Sequence, residues 1–483
     1  MQYASSLRIV GILLVVFSLL HLPPMAVSLW YNDHEFAAFG QALCLTMATG
    51  VSLWLLFNNQ RRELRARDGF FVVTLVWVVL CLFGTLPFVL SSQVDINFVD
   101  GFFETVSGLT TTGATVLVGL DDYPKSILYY RAQLQLVGGM GIIILAVAIL
   151  PILGIGGLQL FRAEVTGPIK DNKLTPRIKE TAKALWIVYI GLNLACIISY
   201  WWAGMSLFDA ICFGFSTIST GGYAPYDASM GHYPQPRFLL IASFFMILGG
   251  INFALHFMAL RNLNVKAYWQ DAEARTFILV FIALVIFCWL VLSLLQTDFS
   301  VYDNFFRSLF AVACIITTTG FAIENLSYWP TFLAIIVLFA GVIGACSGST
   351  SGGVKIIRAM LMVQQGSREL QKSIHPSGVF PLKINKKVIS PAVADAVWGF
   401  IAIYIIIFFL IFCALLATNL DMASALSGTM SSLANIGPGL NMLGDNFAQA
   451  DDAAKSIMSF AMLIGRLEIF TVVILFTPAF WRR

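Results

Sequence analysis

Apolar runs long enough to span a bilayer recur along the whole chain, from the one that begins IVGILLVVFSLL at residue 9 to SIMSFAMLIGRLEIFTVVILF at 456–476. About 20 such residues cross the roughly 30 Å of hydrocarbon as a helix, and a backbone in lipid must satisfy its polar groups as a helix or a closed barrel. Composition points the same way, with 58% hydrophobic and 11% charged residues in 483 and a mean hydropathy of +0.83, far from a soluble domain. The expected fold is an all-α polytopic membrane protein without a sizeable soluble domain. Only Arg8 precedes the first run and no small-residue cleavage site follows, so a mature helix is expected there and not a signal peptide.

Polar breaks divide the apolar pattern into four copies of one unit: a span, a stretch of about 12 moderately apolar residues, a short polar segment around one glycine, a loop and a second span. In the first copy DGFFETVSGLTTTGAT lies between spans near 69–90 and 131–151, and in the second DAICFGFSTISTGGYA lies between spans near 183–203 and 237–258. The third and fourth are DNFFRSLFAVACIITTTGFA, between spans near 276–297 and 330–357, and SALSGTMSSLANIGPG, between spans near 392–418 and 456–479. Gly113, Gly222, Gly320 and Gly437 align the copies at intervals of 109, 98 and 117 residues. Two residues earlier stand Thr111, Thr220, Thr318 and Asn435, and six earlier Ser107, Ser216, Cys314 and Ser431. Spans near 9–30 and 36–57 carry no such break and read as an accessory hairpin. The expected division is 1–67 for that hairpin, then 68–160, 161–275, 276–390 and 391–483 for the four repeats.

A helical stretch of about 12 residues reaches only about 18 Å and must turn back. Irregular backbone at membrane depth is tolerated where it is buried in protein or lines a watery cavity, so four re-entrant loops from one chain are expected to meet around one pore. Stripping water from an ion requires replacement oxygens, which backbone carbonyls can supply. Glycine allows the dihedrals that turn those carbonyls inward and lets four backbones approach. The expected filter is Thr111, Thr112 and Gly113; Thr220, Gly221 and Gly222; Thr318, Thr319 and Gly320; and Asn435, Ile436 and Gly437. No carboxylate ring stands at that level, which disfavours a calcium-type site. A glycine-rich turn between packed helices explains any single copy; four copies in register favour the pore.

Charge is lopsided. Loops 58–68, 161–183, 261–275 and 358–387, with Arg482 and Arg483, hold 21 of the 29 basic residues and a net charge of +13. By the positive-inside rule they face the cytosol together with both termini. The other side holds 16 acidic residues, among them Asp100, Asp121, Asp122, Asp209, Asp227, Asp298, Asp303, Asp451 and Asp452, against five basic ones. A net −11 there either gathers cations or is a solvated face. Eight scattered cysteines lack metal or disulfide spacing, and His256, deep in a span, reads as a hydrogen bonder between helices.

Two features fall inside the membrane. Arg466, in MLIGRLEIFT, is costly to insert, on the order of 3 kcal/mol, and so is a functional candidate by default; backbone carbonyls of the filter or a gate are its expected partners, a structural staple between repeats the alternative. The segment GACSGSTSGGVK at 344–355 breaks a span with poor helix formers. Its lysine spacing is wrong for a phosphate loop. It reads either as a plug across the ion path or as small-residue helix packing.

These residues, with the strings TTTGATV, GGMGIIILAVAILPILGIGG, GRLEIF and FTPAFWRR, resemble the Trk/Ktr/HKT superfamily of potassium transporters over essentially the whole chain. The resemblance implies a potassium filter at the four aligned glycines and an intramembrane gating loop formed by Gly344, Ala345, Cys346, Ser347, Gly348, Ser349, Thr350, Ser351, Gly352 and Gly353, with Lys355 beside it and Arg466 beneath the filter. It also implies a homodimer whose cytosolic face docks a TrkA-type nucleotide-binding ring, with the nucleotide on that partner and no cofactor beyond potassium on this chain. In the family a serine at the first filter glycine accompanies sodium permeability, so Gly113 favours potassium. NIGPG departs from the pattern by placing Pro438 after Gly437. The expected function is gated potassium uptake across a bacterial inner membrane, with a sodium- or proton-coupled alternating-access transporter as the alternative. No nucleophile motif suggests an enzyme, and no nucleic-acid partner is expected.

Overall fold

The computed structural model describes residues 3–58, 66–144, 174–296, 298–385 and 387–482. The basic stretches at 59–65 and 145–173, the end of the first unit's second span, and Arg483 lie outside the described residues. The described chain is helical apart from one strand pair, Lys383–Ile384 against Lys387–Val388, on the connection into the fourth unit. Among the described residues six helices are long and apolar enough to cross a membrane, or eight if each of two bent pairs is one span.

The leading hairpin consists of Tyr3–Tyr31 and Phe36–Leu56. Its seam is closed by small residues, because a Cβ on Gly11 would lie 2.7 Å from Trp54 N and one on Gly50 would lie 2.9 Å from Gly11 O. Close backbone approach of this kind packs helices where lipid offers no hydrophobic drive.

Four short helices follow, at Phe98–Leu109, Leu207–Ile218, Val301–Ile316 and Met422–Ala434. Each starts at a capping side chain: Asn97, Ser206 and Ser300 accept the N–H of Asp100, Asp209 and Asp303, while Asp421 accepts from Ala423 and Ser424. Asp100, Asp209 and Asp303 in the first turn also suit the positive end of the helix dipole. The Ser424 hydroxyl holds the Asp421 carboxyl below its ordinary pKa, keeping that cap ionised. The C-terminal halves of these helices are buried, and the helix that follows each one approaches through a glycine. A Cβ on Gly138, Gly249, Gly341 or Gly465 would lie within 3.1 Å of the carbonyl of Leu109, Ile218, Ile315 or Leu433, at the last turn of the short helix.

The second spans are not the continuous helices that their hydropathy suggests. Pro236–Gly250 and Phe253–Asn262 meet at 100°, and Asp452–Arg466 and Ile469–Phe476 at 112°. At the first break Asn252 caps the new helix by accepting from Ala254 N at 2.8 Å; at the second Glu468 takes φ +61°. The third unit is broken by 344–355, as expected, between Thr331–Ile343 and Ile356–Ile374. Arg466 therefore ends a half-helix and is not mid-span. His256 ties the first break together through Leu248 O at 2.8 Å and Tyr268 Oη at 2.9 Å. All eight cysteines are free, six buried and Cys44 and Cys413 exposed.

Gly50→Leu is expected to cost about 1–3 kcal/mol by overpacking, seen as a lower unfolding midpoint in detergent. Gly40→Ala, whose new Cβ would have its nearest neighbour at 3.8 Å, should leave the midpoint unchanged.

Candidate functional site

The four short helices end in one backbone motif. The N–H of Thr112, Gly221, Thr319 and Ile436 returns to the carbonyl of Ser107, Ser216, Cys314 and Ser431, each at 2.8 Å. The preceding N–H, of Thr111, Thr220, Thr318 and Asn435, returns to Gly108, Thr217, Ile315 and Ser432 at 3.1, 3.2, 3.0 and 3.4 Å. This is the Schellman closure, whose penultimate residue is left-handed. Here φ is +50°, +52°, +55° and +53°. Asparagine tolerates that region, but a β-branched threonine does not, at a cost of about 1–2 kcal/mol. Three strained threonines in register mean that the surroundings hold the loops firmly.

Two residues on, Gly113, Gly222, Gly320 and Gly437 are again left-handed, with φ of +86°, +81°, +87° and +110°. A Cβ on Gly113 would strike Gly221 O, on Gly222 Thr319 O, on Gly320 Ile436 O, and on Gly437 Thr112 O, all inside 3.0 Å. Each loop thus lays the carbonyl before its glycine against the glycine of the preceding loop, and the fourth closes on the first. The result is a ring of main-chain oxygens from which side chains are sterically barred. Helix C-termini point their negative dipole ends at it from four directions. All twelve expected filter residues are brought together here.

Hydroxyls brace the ring from outside. Thr110 and Thr112 share a hydrogen bond at 2.7 Å, as do Thr317 and Thr319; Ser431 Oγ donates to Gly437 O at 2.6 Å and Asn435 Nδ2 to Thr112 Oγ1 at 2.9 Å. Behind the first two loops sits a charge pair that is almost wholly buried. Arg131 Nε donates to Glu104 Oε1 at 2.8 Å, Nη1 to Ala224 O at 2.9 Å and Nη2 to Thr115 Oγ1 at 3.1 Å, while Glu104 accepts from Val116 N at 3.0 Å. Gln135, one turn beyond Arg131, reaches the second loop. The acidic side chain inside DGFFETVSGL and the arginine inside YYRAQLQL were the available signals, because ionisable groups at membrane depth need partners; counting them among the mouth charges conceals them.

The residues after the glycines open into a cavity of about 430 Å³ lined by Asp227, Glu324, Asp445 and Asn446 among others. Not every acidic residue assigned to this face is available there. Asp100 pairs with Lys455 at 2.6 Å, and Asp209 is buried under Ser206, Tyr226 and Tyr233.

The residues before the glycines meet loop 344–355 instead. Gly352 N donates to Thr318 Oγ1 at 2.6 Å, Thr220 Oγ1 to Thr350 Oγ1 at 3.2 Å, and a Cβ on Gly352 would strike Ala434 O. Arg466 Nη1 donates to Thr350 O at 2.9 Å and its Nη2 to Thr111 Oγ1. The rest of the loop is anchored outward: Cys346 N to Gly250 O at 3.0 Å, Ser347 N to Glu273 Oε1 at 2.6 Å, and Phe253 N to Gly348 O at 3.1 Å. Ser349 Oγ closes on Cys346 O at 2.5 Å, and Gly353 packs against the carbonyls of Gly341 and Val342. Lys355 Nζ donates to Ser351 O and so braces the loop. Glu468, two residues past Arg466, instead takes Arg358 at 2.7 Å.

A sequence profile of the family TrkH, described as "Cation transport protein", matches residues 35–483. The chain is 46% identical over 484 residues to the Trk system potassium uptake protein TrkH of Vibrio parahaemolyticus, covering all of both chains. It is 45% identical over 482 residues to Escherichia coli TrkH, again with full coverage of both. To Escherichia coli TrkG it is 35% identical, with 98% of this chain and 97% of the other covered. The structure matches the crystal structure of the potassium transporter TrkH from Vibrio parahaemolyticus with a TM-score of 0.93 at 44% identity over the whole of both chains.

Arg131→Met strands the Glu104 carboxylate in the interior and is expected to cost about 3–5 kcal/mol, whereas Arg131→Met with Glu104→Gln costs much less. Unfolding midpoints of the purified variants in detergent test the order.

Proposed function

The chain belongs to the TrkH family of cation transport proteins, and from that premise we propose that it takes up potassium across the bacterial inner membrane through the carbonyl ring, with loop 344–353 and Arg466 as its gate. Its apolar helices are those of a multi-pass membrane protein, and its relatives are named potassium uptake proteins and a potassium transporter, a transport and not an enzymatic function. The observation that carries the filter assignment is the closed circuit of four carbonyls against four left-handed glycines. Backbone oxygens bear partial charge, so they can replace the hydration shell of a monovalent cation and still release it. Four helix C-termini add negative potential without an ionised ligand that would hold the ion too tightly.

On this reading the gate is closed here. Gly352, Thr350 and Arg466 stand against the inner residues of all four loops, and a guanidinium at the inner mouth of a cation path opposes passage by its charge. Arg466 is fixed by Thr350 O on the loop and Thr111 on the ring, so moving the loop frees one of the two anchors that hold the charge in place. The excess of basic residues on the loops assigned to the cytosol suits a partner on that side, and a TrkA-type nucleotide-binding ring beneath a homodimer is the assembly we propose. Three broken helices also suit alternating access with a coupling ion; discrete single-channel openings, far faster than alternating access, would exclude that mechanism.

Rubidium influx into liposomes holding the purified chain tests the reading directly. Potassium should compete strongly, sodium and caesium weakly; protein that moves no alkali cation overturns the proposal. Gly113→Ser should lower potassium-over-sodium discrimination, and unchanged competition would count against the filter assignment. Arg466→Gln should raise influx at equal reconstituted protein, as should Gly352→Ala, whose new Cβ cannot sit beside Ala434 O. Normal influx in both variants would remove the gate.

A further inference from the structure

We propose that Gln135 is a positioning residue of the ring, standing in for the side chain that the second loop lacks and fixing the direction of the Gly221 carbonyl. The inference rests on the ring being the filter.

In three loops the residue before the filter glycine carries a side chain: Thr112, Thr319 and Ile436. The two threonine hydroxyls are held by Thr110 and Thr317 of their own loops, each at 2.7 Å. In the second loop that position is Gly221; Ser219 makes the bond back to Phe215 O at 2.7 Å that Thr110 and Thr317 also make to Val106 O and Ala313 O, but Gly221 offers it no hydroxyl to share. Internal bracing is therefore missing. Gly221 is not among the residues of positive φ, so its backbone would accept any L-residue. What excludes a side chain is Gln135, because a Cβ on Gly221 would lie 2.6 Å from Gln135 Oε1 and 2.9 Å from its Cγ.

Gln135 comes from the helix Lys125–Ile144 of the preceding unit and is wholly buried. Its amide straddles the filter glycine: Nε2 donates to Gly221 O at 2.6 Å, and Oε1 accepts from Tyr223 N at 3.0 Å. Arg131, one turn earlier on the same face, holds Ala224 O at 2.9 Å. Gly221 O is one of the four ring oxygens, the one that faces Gly113. Among the described residues, the equivalent carbonyls of Thr112, Thr319 and Ile436 accept no side-chain donor. The ring is thus chemically asymmetric. One of its oxygens shares its lone pairs with a buried amide that sets where it points.

The test uses the full chain in liposomes, reading rubidium influx and the ratio of potassium to sodium needed to suppress it. Gln135→Met keeps the length and removes both hydrogen bonds. Its selectivity ratio is expected to fall by about tenfold, which is about 1.4 kcal/mol, in protein that remains monodisperse. Gly221→Thr alone is expected to abolish influx by collision with Gln135; adding Gln135→Ala makes room and should restore it at least tenfold. The restored double variant carries the proposal even if Gln135→Met fails to fold. An unchanged ratio in Gln135→Met, or equal influx by Gly221→Thr with and without Gln135→Ala, overturns it while wild-type influx leaves the filter standing. If the wild type moves no rubidium, the filter falls and this inference falls with it.

Discussion

Backbone that leaves the helix inside a membrane has no water to turn to, and each unpartnered N–H or C=O there costs several kcal/mol. The four short helices meet that constraint with one device. Their last N–H groups fold back in a Schellman closure, and the freed carbonyls beyond are packed glycine to carbonyl around a closed circuit. No loop can be completed alone, because the carbonyl that covers each glycine belongs to the next unit. A single chain folded into four units supplies all four partners at fixed stoichiometry.

Strain at the ring is distributed in the same manner. Thr111, Thr220 and Thr318 occupy a region that β-branched residues avoid, and a conformation costing on the order of 1–3 kcal/mol per residue persists only where neighbours over-determine it. Those neighbours are visible: Arg466 on Thr111, Thr350 on Thr220 and Gly352 N on Thr318. The left-handed turn places each threonine hydroxyl away from the ring, toward the loop beneath. A residue that looks like a ligand in the sequence is here a handle by which the loop holds the ring.

How much of this was legible in the sequence follows from periodicity. The four glycines, the threonine or asparagine two residues before and the serine or cysteine six before recur because one backbone motif recurs, so the all-α fold, the accessory hairpin and the residues of the ring could be read directly. The breaks at 250–252 and 467–468 leave only the short interruptions GGIN and GRLE in otherwise apolar runs, and the bends themselves depend on Asn252 capping and a positive φ at Glu468. Gln135 and Gly221, or Arg131 and Ala224, are separated by 86 and 93 positions and, among the described residues, join the first unit to the second with no counterpart elsewhere in the repeat. A pairing that breaks the repeat leaves no periodic trace, and it is at such pairings that the four quadrants differ.

That asymmetry bears on how such a ring could be gated. The loop at 344–355 belongs to the third unit, yet its contacts and those of Arg466 reach Thr318 of its own unit, Thr220 of the second, Thr111 of the first and Ala434 beside Asn435 of the fourth. Withdrawal of the loop would remove the hydroxyl partners of Thr220 and Thr318 and one of the two anchors of Arg466, which holds Thr111. If the loop is the gate, opening cannot be a purely steric event below an indifferent filter. It must relax the inner rim of the ring, least in the quadrant where Gln135 and Arg131 still grip the second loop from the far side. Conduction and selectivity would then share one set of hydrogen bonds, with the fixed second quadrant as the reference against which the other three move.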